Sequence, residues 1–276
     1  MTTATAILGK GGAGKTLVAA HLAMAFSYLG VRTLVVGCDQ KRDTSRALGV
    51  PGLPCLMEAV ERADGDAGAV EPEELIGAVS PYVDVIELGP SQLLVGDYAA
   101  VYEAAFQAFQ RGQLLARYDH VLYDVTDERF DAPNLPLFRS LAFVVGVTDD
   151  LPESLFVLNR MLRGMLIGWH EFGLPVRVLG AVCNRSQGSG AFQRYVQRTR
   201  AVPLLSIPAS PELAELRASR TTLFAHAQLP RELDVLIDGF LKIVELLQST
   251  VFNLLPVLPV ADEEIWSLMR AQPPRN

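Results

Sequence analysis

The sequence of 276 residues lacks several features that would assign it to a special class of protein. It has no apolar run long enough to cross a bilayer, and its N-terminus lacks the charged and apolar segments of a signal peptide. It has only three cysteines, Cys38, Cys55 and Cys183, and no CxxC pair. We therefore expect a cytoplasmic protein without a membrane span, a disulfide framework or a linear zinc motif.

Basic residues are also scarce. The chain has 24 lysines and arginines against 31 acidic residues, which gives a formal net charge of −7. Because non-specific binding to nucleic acid depends on a basic surface, this balance predicts no nucleic-acid partner. The only modest basic stretch is RYVQRTR (Arg194–Arg200), which we interpret as a solvated helix face.

What the chain does have is a series of short apolar runs separated by stretches with helical spacing. Near-continuous apolar strands that alternate with helices predict an α/β fold with a mostly parallel sheet covered by helices on both faces. Strands are expected at Thr3–Leu8, Arg32–Asp39, Val83–Gly89, His120–Val125, Leu141–Val147, Val176–Asn184 and Val202–Pro208. Helices are expected at Leu17–Gly30, Pro72–Val79, Asp97–Arg117, Glu153–Glu171, Gly190–Arg200, Glu212–Ser219 and Arg231–Ser249, with a short one in the C-terminal tail.

GKGGAGKT (Gly9–Thr16) follows the first strand and precedes the first helix, and it fits the phosphate-loop pattern GxxxxGK[ST]. The glycines let backbone N–H groups turn inward around phosphates, and the helix N-terminus adds its dipole. Lys15 is expected to reach the β- and γ-phosphates, and Thr16 to ligate Mg²⁺. The fold prediction is thus a single P-loop NTPase domain over residues 1–276, with 250–276 as a tail. The predicted cofactors are ATP and Mg²⁺, and the predicted binding residues in the loop are Gly9, Gly11, Gly12, Ala13, Gly14, Lys15 and Thr16.

The additional lysine, Lys10, gives the loop a recognisable form. The loop resembles the deviant Walker A loop of dimeric ATPases such as the nitrogenase iron protein, the chlorophyll-pathway reductase ATPases, and the septum-site and plasmid-partition ATPases. The resemblance implies a homodimer that closes through its nucleotide face. Lys10 would then reach the other subunit's nucleotide and act catalytically, as an arginine finger does. The alternative is a solvated loop lysine.

GCDQKRDTSRALG (Gly37–Gly49) resembles the first switch of the nitrogenase iron protein and its relatives, with Gln40 in place of their proline. The resemblance implies that Asp39 is catalytic near the attacking water. It also implies that Lys41 binds the nucleotide and that Asp43 lies near the metal. The alternative for both aspartates is helix capping.

YDVTDE (Tyr123–Glu128) resembles the second switch of the same family. The resemblance implies that Asp124, at a strand end, contacts metal-bound water, and that Glu128 is catalytic at the family's following Asp position. Asp127 occupies the position of the family's glycine, which is expected to slow hydrolysis.

Two further stretches resemble the base-binding part of this family. In GAVCNR (Gly180–Arg185), Asn184 corresponds to the adenine-contacting asparagine, whose amide can both donate and accept. IPASPEL (Ile207–Leu213) falls where family members pack a loop against the base, which assigns Pro208 to the base.

The resemblance covers nearly the whole chain and is nearest to the chlorophyllide reductase ATPase subunit, with Val144–Met161 and Leu258–Met269 as looser matches. One departure matters most. The positions of the two cysteines that bind the shared [4Fe–4S] cluster hold Asp97 and Asp131. Since carboxylates are hard donors that replace thiolates poorly, no [4Fe–4S] cluster is predicted. The two aspartates could bind a hard cation at the dimer axis or be exposed on refolded loops.

These observations predict a homodimeric ATP-binding and ATP-hydrolysing switch protein. It would act on a protein partner, such as a reductase-like complex or a cluster-bearing homologue, in assembly, insertion or regulation. One alternative is an ATP-dependent electron-donating reductase component with a [4Fe–4S] or other carrier. Another is a positioning ATPase of the partition or septum type, and a P-loop kinase is disfavoured by Lys10 and the GCDxK switch.

Overall fold

A computed structural model describes residues 2–39, 41–89, 98–111, 113–125, 135–173, 177–226, 230–249 and 257–270. In this part of the chain, eight strands form one sheet in the order β3-β4-β2-β5-β1-β6-β7-β8. All neighbouring strands are parallel except β3 and β4, which are antiparallel. The strands are β1 (Thr3–Gly9), β2 (Thr33–Gly37), β3 (Gly77–Ser80), β4 (Val83–Glu87), β5 (His120–Asp124), β6 (Phe143–Thr148), β7 (Arg177–Ser186) and β8 (Pro203–Pro208).

Helices cover both faces of the sheet, as the sequence predicts. Successive residues of a strand point to opposite faces, so Ile7 packs in the core under α1 and α9, and Leu8 packs in the core under α3, α4 and α6. The α-helices are α1 (Lys15–Tyr28), α2 (Asp43–Ala47), α3 (Leu56–Arg62), α4 (Tyr98–Gln110), α5 (Leu135–Ser140), α6 (Pro152–Phe172), α7 (Ala191–Thr199), α8 (Pro211–Ala218), α9 (Arg231–Gln248) and α10 (Asp262–Arg270). The predicted α/β class is therefore confirmed, whereas the boundary of a tail at residue 250 stays a prediction.

The predicted helix at Pro72–Val79 is wrong. A single 3₁₀ turn covers Pro72–Leu75, and the chain then forms the edge strand β3. At Gly77 an added Cβ would lie 2.7 Å from a side-chain carbon of Val50, so the backbone packs too closely there for a larger residue. Antiparallel pairing with β4 at the sheet edge thus overrides the local helical pattern.

The predicted helix at Asp97–Arg117 is shorter in the structure. The helix α4 ends at Gln110, and a separate 3₁₀ turn covers Leu115–Arg117. The predicted start of this helix, Asp97, lies outside the described residues.

The basic stretch on α7 is solvated in part, as expected, because Arg198 and Arg200 are exposed, but its side chains also make contacts with the C-terminal helix. Arg194 Nε donates to the Leu268 carbonyl at 2.7 Å, and Arg198 pairs with Glu264. These arginines hold the C-terminal helix α10 against the domain. None of the helices in the described ranges combines the length and apolar character that a bilayer span requires.

Strand register brings the loops of the predicted site to one edge of the sheet. Gly37 pairs with Glu87 on one side and with Asp124 on the other, while Ile7 pairs with Asp124. The carboxyl ends of parallel strands lie at the same edge, which is where ligands bind in open α/β sheets. The loops that follow β1, β2 and β5 therefore start side by side.

Candidate functional site

The P-loop is a tight turn between β1 and α1 that depends on its glycines. Gly12 and Gly14 have left-handed φ angles of +80° and +100°. Such angles strain residues that have a side chain. Gly9 lies so close to β6 that an added Cβ would be 2.1 Å from the Val147 carbonyl oxygen. Within the turn, the Ala13 N–H donates to the Lys10 carbonyl at 3.0 Å.

Lys15 is the buried cation of the loop. Its side-chain Nζ donates to the carbonyls of Gly9 at 2.6 Å and Lys10 at 3.1 Å. Only 6% of the residue is exposed. Burying an ammonium group is costly unless anions or dipoles compensate it. The loop therefore concentrates positive charge at the place where phosphates bind in P-loops.

A cavity of about 600 Å³ opens beside the loop. Its lining includes nine of the predicted site residues: Gly11, Gly12, Gly14, Lys15, Thr16, Asp39, Lys41, Asp43 and Asn184. The structure therefore brings the P-loop, the first switch and the end of β7 to one site.

Five predicted residues lie elsewhere. Gly9, Ala13 and Asp124 are buried behind the loop, Lys10 is half-buried, and Pro208 is exposed at the end of β8. The catalytic candidate Glu128 lies outside the described residues, as do the two positions assigned to lost cluster ligands, Asp97 and Asp131. Their roles stay predictions.

Asp124 lies beneath the cavity with no exposed surface. Its Oδ2 accepts a hydrogen bond from the Thr44 hydroxyl at 2.8 Å, while Oδ1 has no hydrogen-bond partner among the described residues. Burial raises the pKa of Asp124, against the lowering effects of the Thr16 and Thr44 hydroxyls and the Lys15 charge. A buried carboxylate oxygen without a partner is a fit acceptor for Mg²⁺-bound water.

Oxygen atoms at the site are of the kind that Mg²⁺ prefers. No group of three or more His, Cys, Asp or Glu side chains that could hold a metal occurs in the described ranges. Mg²⁺ needs no such group, because it usually keeps waters and binds one or two carboxylates together with substrate phosphates. Thr16 and Asp43, on the cavity wall, and Asp124, below it, supply oxygen atoms of this kind.

The first switch turns sharply after β2 and enters α2. Asp39 Oδ1 accepts from the Lys41 N–H at 3.0 Å, which closes a short turn. The N-cap of α2 is Arg42 in a left-handed conformation, and no side chain hydrogen-bonds the helix start. Asp43 follows in the first turn of the helix, and its Oδ1 lies 3.7 Å from Arg46 Nη1. Neither aspartate caps the helix, so the capping alternative is not what the structure shows.

Buried acids that the sequence analysis missed hold this switch against the sheet. Glu87 Oε1 accepts from the Ser45 N–H at 2.8 Å, and Glu58 forms an ion pair with Arg42. Burial raises the pKa of Glu87 to about 7, although the hydrogen bonds from Ser45 lower it. The available signal was an acid that directly follows the apolar residues Val85 and Ile86 at the end of a strand.

Asn184 contacts the P-loop directly. Its Nδ2 donates to the Ala13 carbonyl at 2.8 Å, and an added Cβ at Gly14 would lie 2.1 Å from that nitrogen. The side chain thus fixes the loop from the end of β7 while it lines the cavity. Contact with adenine stays a prediction.

The cavity is also lined by basic residues that the sequence did not indicate. Arg46, Arg217 and Arg220 line it, together with His21. His21 is a neutral residue that supports the cavity wall. Its Nδ1 donates to the Leu17 carbonyl and its Nε2 accepts from the Leu223 N–H. Burial lowers the pKa of His21 to about 4.

Comparison with known proteins gives a family match over residues 3–272, to the family described as 4Fe-4S iron sulfur cluster binding proteins, NifH/frxC family. A similar protein is the light-independent protochlorophyllide reductase iron-sulfur ATP-binding protein of Halorhodospira halophila. It is 28% identical over 96% of this chain and 87% of its own length.

Two solved structures show the same fold. The septum site-determining protein MinD of Pyrococcus horikoshii, complexed with Mg-ADP, has a TM-score of 0.64 at 19% identity and covers 91% of this chain and 100% of its own. A variant of Cyanothece McdA in complex with ATP has a TM-score of 0.68 at 17% identity and covers 91% of this chain and 98% of its own. At these identities the likeness concerns the fold alone.

Proposed function

This chain belongs to the NifH/frxC family of 4Fe-4S iron sulfur cluster binding proteins, and from that premise we propose that it is an ATP-binding and ATP-hydrolysing switch protein. The observation that carries the proposal is the cavity that joins Lys15 and Thr16 of the P-loop with Asp39 and Lys41 of the first switch. The related MinD and McdA structures are described with Mg-ADP and ATP, which supports the same class of ligand here.

The proposed roles follow from position. Lys15 and the inward N–H groups of the loop bind the β- and γ-phosphates, and Lys41 adds a second cation from the cavity wall. Thr16, Asp43 and Asp124 would hold Mg²⁺ or its waters. Bound Mg²⁺ neutralises charge on the transferring phosphoryl group.

Catalysis and base binding complete these roles. Asp39 and Glu128 would orient the attacking water, and Asn184 and Pro208 would contact the base. The guanidinium groups of Arg46, Arg217 and Arg220 line the cavity and are available to the base and ribose. Because the phosphates would bind at the P-loop, the rest of the nucleotide would occupy the cavity that these arginines line.

Calorimetric titration with ATP and a phosphate-release assay test the proposal. Lys15→Ala removes the buried cation and is expected to weaken ATP binding by about 100-fold or more, the effect of two charge-assisted hydrogen bonds. Lys242→Ala, at an exposed position on α9, is the matched control and should bind ATP like the wild type. Wild-type protein that binds no ATP in Mg²⁺ would end the proposal.

We further propose that ATP closes a homodimer through Lys10. Its side chain is half-buried at the front of the loop and makes no hydrogen bond or ion pair with the described residues, whereas its carbonyl is held by Ala13 and Lys15. The backbone is therefore fixed while the ammonium group can reach another chain. Analytical ultracentrifugation with ATP should show dimers for the wild type and monomers for Lys10→Ala; equal dimer fractions would remove the trans role.

The absence of a [4Fe–4S] cluster is part of the proposal. The sequence has Asp97 and Asp131 where thiolates are expected, and the three cysteines are buried. Burial raises the pKa of Cys38 well above its usual value, that of Cys55 to about 11 and that of Cys183 to about 12. Buried thiols are closed off from a cluster that two chains would share.

Anaerobic purification followed by iron analysis and an absorption spectrum tests this absence. The expected result is protein without iron and without cluster absorption. Stoichiometric iron with a cluster spectrum would instead favour the electron-donating reductase component. Metal analysis of the same preparation decides whether Asp97 and Asp131 retain a hard cation.

The partner is proposed from the relatives. Because a similar protein is named as the ATP-binding protein of a light-independent protochlorophyllide reductase, a reductase-like complex or a cluster-bearing homologue is the proposed partner. Binding of such a purified complex in ATP but not in ADP would identify a switch. A positioning ATPase would instead sediment with liposomes or DNA in ATP.

A further inference from the structure

Four carbonyl oxygens of the P-loop each accept a side-chain hydrogen bond. Those of Gly9 and Lys10 accept from Lys15. That of Ala13 accepts from Asn184, and that of Gly12 accepts from Arg185 Nη2 at 2.8 Å. A phosphate nest needs its N–H groups turned inward, which turns the carbonyls outward. A donor that holds a loop carbonyl from outside the cavity, as Arg185 does, therefore favours the phosphate-binding shape.

Arg185 acts from outside the cavity. It is not among the cavity-lining residues, and 44% of its side chain is exposed. Its φ of +53° is left-handed, an uncommon conformation for a residue with a side chain. The strand end of β7 thus adopts a strained turn at the residue whose guanidinium meets the loop, and such strain persists only where surrounding contacts hold it.

Asp149 holds the guanidinium in place. Its Oδ2 lies 2.8 Å from Arg185 Nη2, and its Oδ1 accepts from the Leu151 N–H at 3.1 Å. Only 7% of the Asp149 side chain is exposed. Burial raises the pKa of Asp149, but its hydrogen bonds and the Arg185 charge outweigh burial and hold that pKa below the usual value. A continuous set of contacts therefore runs from the start of α6 to Gly12.

We propose that Arg185, oriented by Asp149, is a positioning residue that fixes the P-loop at Gly12 in its phosphate-binding shape before a nucleotide arrives. This inference rests on the proposed ATP-binding function. Arg185 acts through the loop backbone, so its loss lowers affinity for the phosphates and leaves the fold intact. One charge-assisted hydrogen bond to a carbonyl corresponds to about a 10- to 100-fold change in affinity.

Calorimetric titration with ATP tests the inference in three variants. Arg185→Gln is expected to weaken ATP binding by about 10- to 100-fold. Asp149→Asn leaves the arginine present but unoriented and should weaken binding by a smaller factor. Adding Asp149→Asn to Arg185→Gln should cost nothing further, because Asp149 acts through Arg185. Arg177→Gln, at the exposed start of the same strand, is the matched control.

Hydrogen–deuterium exchange without nucleotide distinguishes a local effect on the P-loop from a general loss of stability. Amides of residues 9–16 should exchange faster in Arg185→Gln, while the core strands and the melting temperature stay as in the wild type. Wild-type ATP affinity in both Arg185→Gln and Asp149→Asn would overturn the inference. So would an equal rise of exchange throughout the sheet. If the wild type binds no ATP, the proposed function fails first and this inference fails with it.

Discussion

Replacing Glu87 with glutamine tests how a buried charge next to the switch affects folding. Glu87 has no exposed surface; Oε1 accepts from the Ser45 N–H at 2.8 Å, and Oε2 has no hydrogen-bond partner among the described residues. Glutamine keeps the size and the acceptor for Ser45 but removes the charge. The comparison therefore isolates ionisation from packing.

The sign of the effect follows from the pKa of Glu87, which burial raises from 4.5 to about 7. Between these values the folded protein binds a proton that the unfolded chain has released, so the free energy of unfolding falls as pH rises. Well above pH 7, Glu87 is ionised in both the folded and the unfolded state, and the free energy of unfolding falls no further. A rise of this size corresponds to about 3 kcal/mol.

Urea unfolding from pH 5 to pH 8 measures the difference. Near pH 5 the wild type and Glu87→Gln should have similar free energies of unfolding. At pH 8 the variant should be more stable by up to about 3 kcal/mol. Glu215→Gln, an exposed glutamate on α8, is the control and should follow the wild type. Parallel pH profiles for the wild type and Glu87→Gln would refute the reasoning.

Three further changes have definite expected outcomes. Gly9→Ala places a Cβ 2.1 Å from the Val147 carbonyl oxygen and should lower the melting temperature through a loss of about 1–3 kcal/mol, and an unchanged temperature would contradict this close approach. Asn159→Leu removes hydrogen bonds of 2.8 and 3.0 Å to Val260, so hydrogen exchange in α10 should rise while exchange in α1 does not. Asp124→Asn should weaken ATP binding in Mg²⁺ more than in EDTA, and equal losses would argue against a metal role.

The sheet could be predicted because its strands are apolar runs bounded by turn residues. All seven predicted strands occur, with ends shifted by a few residues. The strand β3 could not be found, since its few residues follow an acidic stretch and are strand only through pairing with β4. The short α2 was also missed: it lies in a polar segment, GCDQKRDTSRALG, and is fixed by contacts of Thr44 and Ser45 with distant carboxylates.

The functional site also has one part that the sequence predicts and another that depends on the tertiary fold. The P-loop is a local motif, so Lys15 and Thr16 could be assigned from spacing alone. Asn184 joins them only because β7 lies two strands from β1 in the sheet, an order that spacing does not reveal. Arg217, in α8, and Arg220, just after it, carry no motif, and only the tertiary fold brings them to the cavity.

The overall charge of the chain differs from that of its cavity. The net charge of −7 describes an acidic protein, yet the charged residues that line the cavity are Lys15, Lys41, Arg46, Arg217 and Arg220 against Asp39 and Asp43. The buried acids lie behind this surface, where burial raises the pKa values of both Asp124 and Glu87. Since raised pKa values favour neutral carboxyl groups, these acids cancel less of the cationic field than their number suggests. A cavity of this sign favours a polyanion such as ATP even in an acidic chain, because the local field and not the net charge acts on a bound ligand.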